Sequence, residues 1–445
     1  MANRLSNLIK PLRGVDSGKE SFKKIAIKNA SYDLSTSIFS KIGSMIFTII
    51  IARILLPEMF GLYSLALSTL LLFNGLSDFG ISSASVRFIS QSLGQNKKSK
   101  AKAYATYLTK IKIIPLFLAS LLLLVLAKFI ANDYYQKPIY LALVAGSLYV
   151  LFISLTSFLQ SFFQAANNFK VLFIREVSFQ MMRLILVPLF IIYALKHLVS
   201  EEISLALIIL ALSITWLFMI VLLILSFSKL DYFKSKTEVL TKIEKQETKK
   251  FIFGIILFSL ATLFFGYIDV ILLGRFISSE FIGYYQAAIG FIGALSFVLV
   301  FSNSLFPIFS RISGERLKQA LNRSIKPILL ISSLLFVFSI LFAPWVFQLA
   351  YGKEYAVSFW LIRIFSLLLI STPLVALYST YFISQGKLKS LTKFLIIANC
   401  FGFVLDYAFI KIGLGFGELG AILGLATATV LGKFFYLLLM TLSKK

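Results

Sequence analysis

Apolar runs near the ~20 residues that cross a bilayer core alternate along this chain with short polar stretches. Twelve such runs fall at about 32–52, 62–86, 103–127, 138–163, 171–194, 204–227, 250–272, 282–305, 325–343, 357–382, 391–411 and 417–440. Few of them carry the polar face that a soluble helix needs, so the pattern predicts an all-α membrane protein with twelve transmembrane helices. Residues 1–31 read as a basic tail, with Ser21–Ala30 as an amphipathic helix on the membrane surface. Residues 32–227 form a first lobe of six spans, 228–249 a solvated linker, and 250–445 a second lobe of six.

Some spans are not uniformly apolar. On span 1, Asp33, Ser37, Lys41, Ser44 and Thr48 recur at three- and four-residue spacing, so one face is polar and must meet protein or water. Span 2 ends in Ser77, Asp78, Gly80, Ser82, Ser83 and Ser85. Small residues mark close helix packing, but Asp78 is not explained by packing. Span 5 carries Glu176, Gln180 and Arg183 on one face. Arg183 costs about 2.5–3.5 kcal/mol there unless paired or hydrated, and Glu176 is its nearest candidate partner. Span 7 carries Ser259, Thr262, Gly266 and Asp269, and no Lys or Arg between Phe251 and Leu273.

The halves are copies. RILLPEMFGLY (53–63) recurs as RFISSEFIGYY (275–285), placing Arg53, Glu58, Gly61 and Tyr63 opposite Arg275, Glu280, Gly283 and Tyr285 at a shift of 222. FFQAANNFK (162–170) and FISQGKLK (382–389) also correspond, after spans 4 and 10. Six spans is an even number, so both halves start on the same side. The repeat is parallel, and its pseudo-two-fold axis runs along the membrane normal. Pro57 starts a helix and Gly61 allows a close turn. The motif therefore reads as a structural hairpin that holds paired helices in register, with a part in an outer gate as the other reading.

Composition agrees with the pattern. Of 445 residues 59% are hydrophobic and 14% charged, and the mean hydropathy is +0.90; a soluble domain is about a quarter charged. A net charge of +25 suggests nucleic acid until its placement is considered. With edge residues assigned to the nearer loop, 30 of the 44 Lys and Arg lie in the termini and even-numbered loops, against 7 in the odd-numbered ones. That asymmetry predicts a multi-pass protein of the cell membrane with both termini cytoplasmic. The excess charge then meets anionic lipid head groups, not nucleic acid. Cys400 and His197 are single residues, which excludes a disulfide framework, a Cys/His dyad and a Cys/His metal centre. No cleavable signal peptide precedes span 1.

Lys28–Asn29, the stretch R-x-L-x-P-E-x-F-G-x-Y-S-L-A from Arg53 to Ala66, and DFGISSASVRFIS (78–90) resemble Wzx-type polysaccharide flippases. These belong to the multidrug/oligosaccharidyl-lipid/polysaccharide exporter (MOP) superfamily. The motifs cover the first hundred residues; span count and duplication extend the likeness over the rest. The resemblance implies a MATE-like pair of six-helix lobes around a central cavity that opens alternately to each side. It implies transport, not catalysis, of an oligosaccharide on a polyprenyl phosphate or pyrophosphate. Polysaccharide polymerases or glycosyltransferases are then the expected protein partners, with membrane lipids around the chain. Lipid II flippases usually have two further spans, which this chain lacks.

An anionic, sugar-rich head group needs positive charge and hydrogen-bonding groups in a hydrated groove. Lys41, Arg183 and Arg363 are the in-span cations placed to supply the charge, with Arg87 and Lys433 nearer the cytoplasmic ends. Ser37, Ser44, Gln160, Gln164 and Asn399 are candidate sugar contacts. In the rival reading, Asp33, Asp78 and Asp406 neutralise those cations. No cofactor is expected. The membrane potential alone gives roughly 4–5 kcal/mol to a doubly charged pyrophosphate leaving an inside-negative cell, at ~2.3 kcal/mol per charge per 100 mV. Antiport of Na⁺ or H⁺ on Asp33, Asp78 or Asp269 is the other drive. A cation-coupled multidrug antiporter of the same superfamily is the alternative function, and Lys41 beside Asp33 and Asp78 speaks against it.

Overall fold

A computed structural model describes residues 18–296, 309 and 314–443. The described residues form thirteen α-helices and no strand. In chain order they are α1 Gly18–Asp78, α2 Ile81–Gly94, α3 Lys98–Lys128, α4 Tyr140–Ala165, α5 Phe169–Lys196, α6 Glu201–Leu225 and α7 Lys242–Phe276. After these come α8 Ser279–Leu295, α9 Gly314–Tyr351, α10 Ser358–Phe365, α11 Leu368–Ser384, α12 Leu388–Leu414 and α13 Gly417–Leu442. Ten helical segments are long and apolar enough to cross a membrane, so the protein is a multi-pass membrane protein. One of them, α1, holds both span 1 and span 2, broken at Leu56 (φ 60°, ψ 170°) just before Pro57. The tail end of span 8, at 297–305, lies outside the described residues, as do residues 1–17 of the basic tail. Residues 18–30 continue α1 directly and do not form a separate surface helix.

The chain reverses at Leu56. Span 1 runs parallel to α5, since Tyr32 and Phe39 meet Phe173 while Ser44 meets Arg183. Span 2 runs antiparallel to α7: Leu65 lies against Gly274, Gly75 against Leu263 and Gly80 against Ile255. The two Arg–Tyr hairpins thus share one end of the molecule, the hairpin end. The basic loops share the opposite, basic end.

Packing differs between these ends. At the hairpin end a single core joins the halves, bringing Ile51, Phe60 and Leu65 of α1 together with Tyr285 and Phe291 of α8, Phe347 of α9 and Ile422 of α13. At the basic end there are two cores. The first half packs Phe88, Tyr104 and Phe162, with Ile252 at the foot of α7, and the second half packs Leu321, Leu377, Tyr381 and Tyr436. The halves share one core at the hairpin end; at the basic end they keep two cores and meet where the foot of α7 joins the first.

Span 2 is interrupted. Phe79 (φ 44°) and Gly80 (φ 78°) are both left-handed, so α1 stops at Asp78 and α2 restarts at Ile81. The break frees backbone acceptors inside the membrane, which must find partners. Lys112 of α3 fills that need, donating to the Ser77 carbonyl and to Asp78 Oδ1, both at 2.9 Å. Ser82 also donates to Asp78, at 2.6 Å. Lys112 is the buried partner, its side chain 2% exposed against 32% for Asp78. Asp78→Ala strands the ammonium and is expected to cost about 3–5 kcal/mol. Lys112→Met leaves a carboxylate that water can reach and costs about 1–3 kcal/mol. Thermal unfolding of the two variants in detergent checks that order.

The stretch expected to be a solvated linker is packed. Tyr232 is buried, and Phe227 and Phe233 stack on each other and against Phe162. Lys102 donates to the Ser235 carbonyl at 2.9 Å, and Lys100 pairs with Glu244. Thr241 and Glu244 then form a reciprocal capping box, so α7 begins at Lys242, eight residues ahead of the apolar run.

Candidate functional site

Three polar constellations lie inside this apolar frame. The first is the face of span 1 against α5. Arg183 donates to Ser44 Oγ at 2.9 Å, and its guanidinium lies between the rings of Phe47 (4.4 Å) and Phe179 (5.1 Å). Glu176 is not its ion-pair partner: that carboxylate is taken by Arg175 at 2.9 Å and by Gln180 at 2.6 Å. Gln180 also reaches the Ser40 carbonyl, at 3.4 Å. Lys41 is exposed on the same stretch of helix, and Ser37 is half-buried one turn before it. Among the described residues no carboxylate is within ion-pairing distance of Lys41 or Arg183. Asp33 is exposed two turns away, towards the basic end. The other two deep cations of this half, Lys112 and Arg175, are each neutralised.

The second constellation is the pair of hairpins, which pack against each other. A Cβ on Gly61 would overlap the Ser279 carbonyl, and a Cβ on Gly283 would overlap the Pro57 carbonyl. Residues 57 and 279, like 61 and 283, are related by the repeat shift of 222, so the pseudo-two-fold axis passes between them. The arginines are exchanged as well. Arg53 donates to the Leu349 and Ala350 carbonyls that end α9, in the opposite half. Arg275 donates to the Asp133 (3.0 Å) and Tyr134 (2.6 Å) carbonyls in the π-helical extension Phe129–Tyr135 of α3. Each cation faces the carbonyl-rich, negative end of a helix. Lys137 adds a bond to the Ile277 carbonyl at 2.8 Å, and Tyr355 one to the Ala52 carbonyl at 2.8 Å. Glu58 is exposed, and Glu280 accepts from Tyr284. These contacts make the hairpins an interface between the halves, beyond the local turn that their sequence suggests.

The third constellation is a cavity of about 290 Å³ in the second half, between α7, α12 and α13. Asp269 accepts from Thr429 at 2.8 Å and from Tyr285 at 3.2 Å. Asp406 is buried beside it, and its Oδ1 has no hydrogen-bond partner among the described residues. Asn399 donates to the Ala261 carbonyl at 2.7 Å, and among the described residues its own Oδ1 has no partner. Lys433 lines the cavity with its Nζ 3.5 Å from the Phe265 ring centroid. Fully ionised, two carboxylates and one ammonium leave one negative charge, which one monovalent cation or one proton would cancel.

The remaining sequence candidates lie apart from these groups. Arg363 is exposed and rests on Trp360 at 4.9 Å. A cation on an exposed tryptophan near a helix end is typical of the membrane interface. Arg87 lies over Phe251 of α7 at 4.4 Å, bridging the halves at the basic end. Gln160 is half-buried and Gln164 exposed, on the last turns of α4. Asn399 belongs to the second-half cavity, away from the span 1 face. Lys112 and Arg175 went unnoticed in the sequence, although a lysine ten residues into an apolar run was itself a signal.

Comparison with known proteins follows the same lines. No curated protein matches the chain by sequence. Among solved structures it is similar to the lipid II flippase MurJ in an inward closed conformation, with TM-score 0.67 and 18% identity over 92% of this chain and 87% of that one. An inward-facing multidrug resistance MATE family transporter of the MOP superfamily matches with TM-score 0.59 and 15% identity, covering 94% of each chain. A mutant of the Vibrio cholerae MATE transporter VcmN matches with TM-score 0.58 and 13% identity over 95% and 98%. The family model described as polysaccharide biosynthesis protein matches residues 26–313. The chain therefore belongs to the polysaccharide biosynthesis protein family, built on the all-helical transporter fold of the MOP superfamily.

Proposed function

We propose that this protein is a flippase that moves a polyprenyl phosphate- or pyrophosphate-linked oligosaccharide across the membrane for polysaccharide biosynthesis. The basic end is cytoplasmic in this reading, and the substrate leaves from the hairpin end. The observation that carries the proposal is the charge of the span 1 face. Among the described residues Lys41 and Arg183 have no carboxylate within ion-pairing distance, whereas Lys112 and Arg175, the other deep cations of that half, are paired. An uncompensated positive face suits an anionic head group, with Ser37 and Ser44 offering hydroxyls to sugars.

The core arrangement supports alternating access. Halves that share one core at the hairpin end, and at the basic end meet through the foot of α7, can rock about the shared core once that contact opens, as in transporters built from repeats. Loss of the gene should leave lipid-linked repeat units stranded on the cytoplasmic leaflet and surface polysaccharide absent. Repeat units that still reach the outer leaflet in the deletion strain would refute the assignment.

The second-half cavity is our candidate for the coupling site. One uncancelled negative charge suits one Na⁺ or one H⁺, with Asp269 and Asp406 as the groups that hold it. Asp269→Asn removes that charge, and transport should then lose its dependence on the Na⁺ or pH gradient while its dependence on membrane potential stays. Transport rates in vesicles with each gradient imposed separately check this. The same carboxylates are what a multidrug antiporter would offer to a cationic drug, but Lys433 on the cavity wall opposes a bulky organic cation.

A further inference from the structure

A second cavity, of about 540 Å³, opens at the basic end of the first half and plays no part in the transport reading. Its walls come from four separate pieces of chain: the α2–α3 loop, the α4–α5 turn, the packed linker, and Tyr32 at the start of span 1. Three lysines line it, Lys98 in the first turn of α3, Lys170 in the first turn of α5 and Lys229 in the linker. All three are exposed, and among the described residues none has an ion pair. The one carboxylate on the wall, Asp231, is already engaged by Lys234 at 3.4 Å.

Three lysines from three chain segments line one cavity, and their mutual repulsion is what an anion bound there would remove. Two helices, α3 and α5, begin at this wall and turn their positive ends toward it. Among the described residues no side chain caps the α3 start, which leaves first-turn amide N–H groups for an anion. Asn167 and Asn168 add side-chain amides. These are the parts of a phosphate site.

The surroundings say which phosphate. From this cavity α5 rises with exposed apolar residues along one side, Ile174, Met181, Ile185, Leu189 and Ile192, at spacings that keep them on a common face. A phosphate with acyl chains attached would find its head-group site and its apolar track on the same helix; a soluble anion would use only the first. We infer that the cavity binds the phosphate of an anionic phospholipid from the leaflet at the basic end. The bound phosphate bridges Lys98 and Lys170 of the lobe to Lys229 of the linker. It thereby adds a tether to those that Lys102 and Lys100 already supply.

The test uses the full chain in detergent, titrated with phosphatidylglycerol or phosphatidylcholine, with retained lipid read by native mass spectrometry. At about fivefold per lysine, K98Q/K170Q/K229Q should weaken phosphatidylglycerol retention by on the order of a hundredfold. The charge-matched control K236Q/K242Q/K249Q removes three exposed lysines of the same end that do not line the cavity. It should retain the lipid as the parent does. Equal loss in the control would reduce the effect to general attraction and overturn the site. So would retention of phosphatidylglycerol no better than that of phosphatidylcholine in the parent. Displacement of the lipid by millimolar inorganic phosphate would make this a site for soluble phosphate and overturn the lipid assignment.

Discussion

Gly61→Leu is expected to abolish surface polysaccharide while the protein remains in the membrane at its normal level. The close approach of Gly61 to the Ser279 carbonyl, and of Gly283 to the Pro57 carbonyl, has no room even for a Cβ. A leucine there forces the hairpins apart, and overpacking of this kind costs about 1–3 kcal/mol. The penalty falls only on the state in which the hairpins touch. It therefore shifts the balance of conformations by roughly 5- to 150-fold away from the closed hairpin end. A transporter that cannot close one end cannot reload from the other. Gly283→Leu, at the symmetric position, should behave alike, and the alanine variants should be milder. With the exposed native Cys400 replaced by serine, maleimide labelling from outside of a cysteine placed at Ala287, which is fully buried in the joint core, reads the gate directly. It should be silent in the parent background and positive with Gly283→Leu. Normal export by both leucine variants would show that the hairpins need not close.

Lys41→Ala should be equally severe for a different reason. Losing a charge-assisted contact to a phosphate costs about 1.5–3 kcal/mol, which is roughly 10- to 150-fold in substrate binding. Arg183→Ala should match it, because among the described residues neither cation has a carboxylate partner. Arg183→Lys should recover only part of the loss. The guanidinium lies within cation–π distance of both Phe47 and Phe179 while donating to Ser44, and a single-point ammonium does not reproduce all three contacts at once. Surface polysaccharide, normalised to membrane protein level, is the measurement. Unchanged polysaccharide in Lys41→Ala would remove that residue from the transport path.

The fold was largely legible because bilayer thickness imposes a period that apolar runs cannot hide. The duplication was legible in the eleven residues at Arg53 and Arg275. Their mutual contact was not, since a repeat states that two copies exist and says nothing of where the symmetry axis passes. The part Arg53 and Arg275 play between the halves is not legible, because their acceptors, main-chain carbonyls of distant helices, leave no mark in sequence. Arg183 and Glu176 are seven apart and share a helix face, yet Arg175 is the closer competitor for the carboxylate. The linker misled through its lysines; Tyr232 and Phe233 among them were the sign of packing. On sequence alone Asp406 could neutralise any of the named cations; only the packing of α12 and α13 sets it and Lys433 beside Asp269.

The most direct test of the account is flipping by the purified protein in proteoliposomes that hold a polyprenyl pyrophosphate oligosaccharide with a fluorescent sugar. Leaflet distribution is read by a quencher that cannot cross the membrane. The account predicts movement that depends on the protein and that Lys41→Ala and Gly61→Leu both suppress by tenfold or more. No movement of the glycolipid, together with gradient-driven uptake of a cationic dye by the same vesicles, would contradict it.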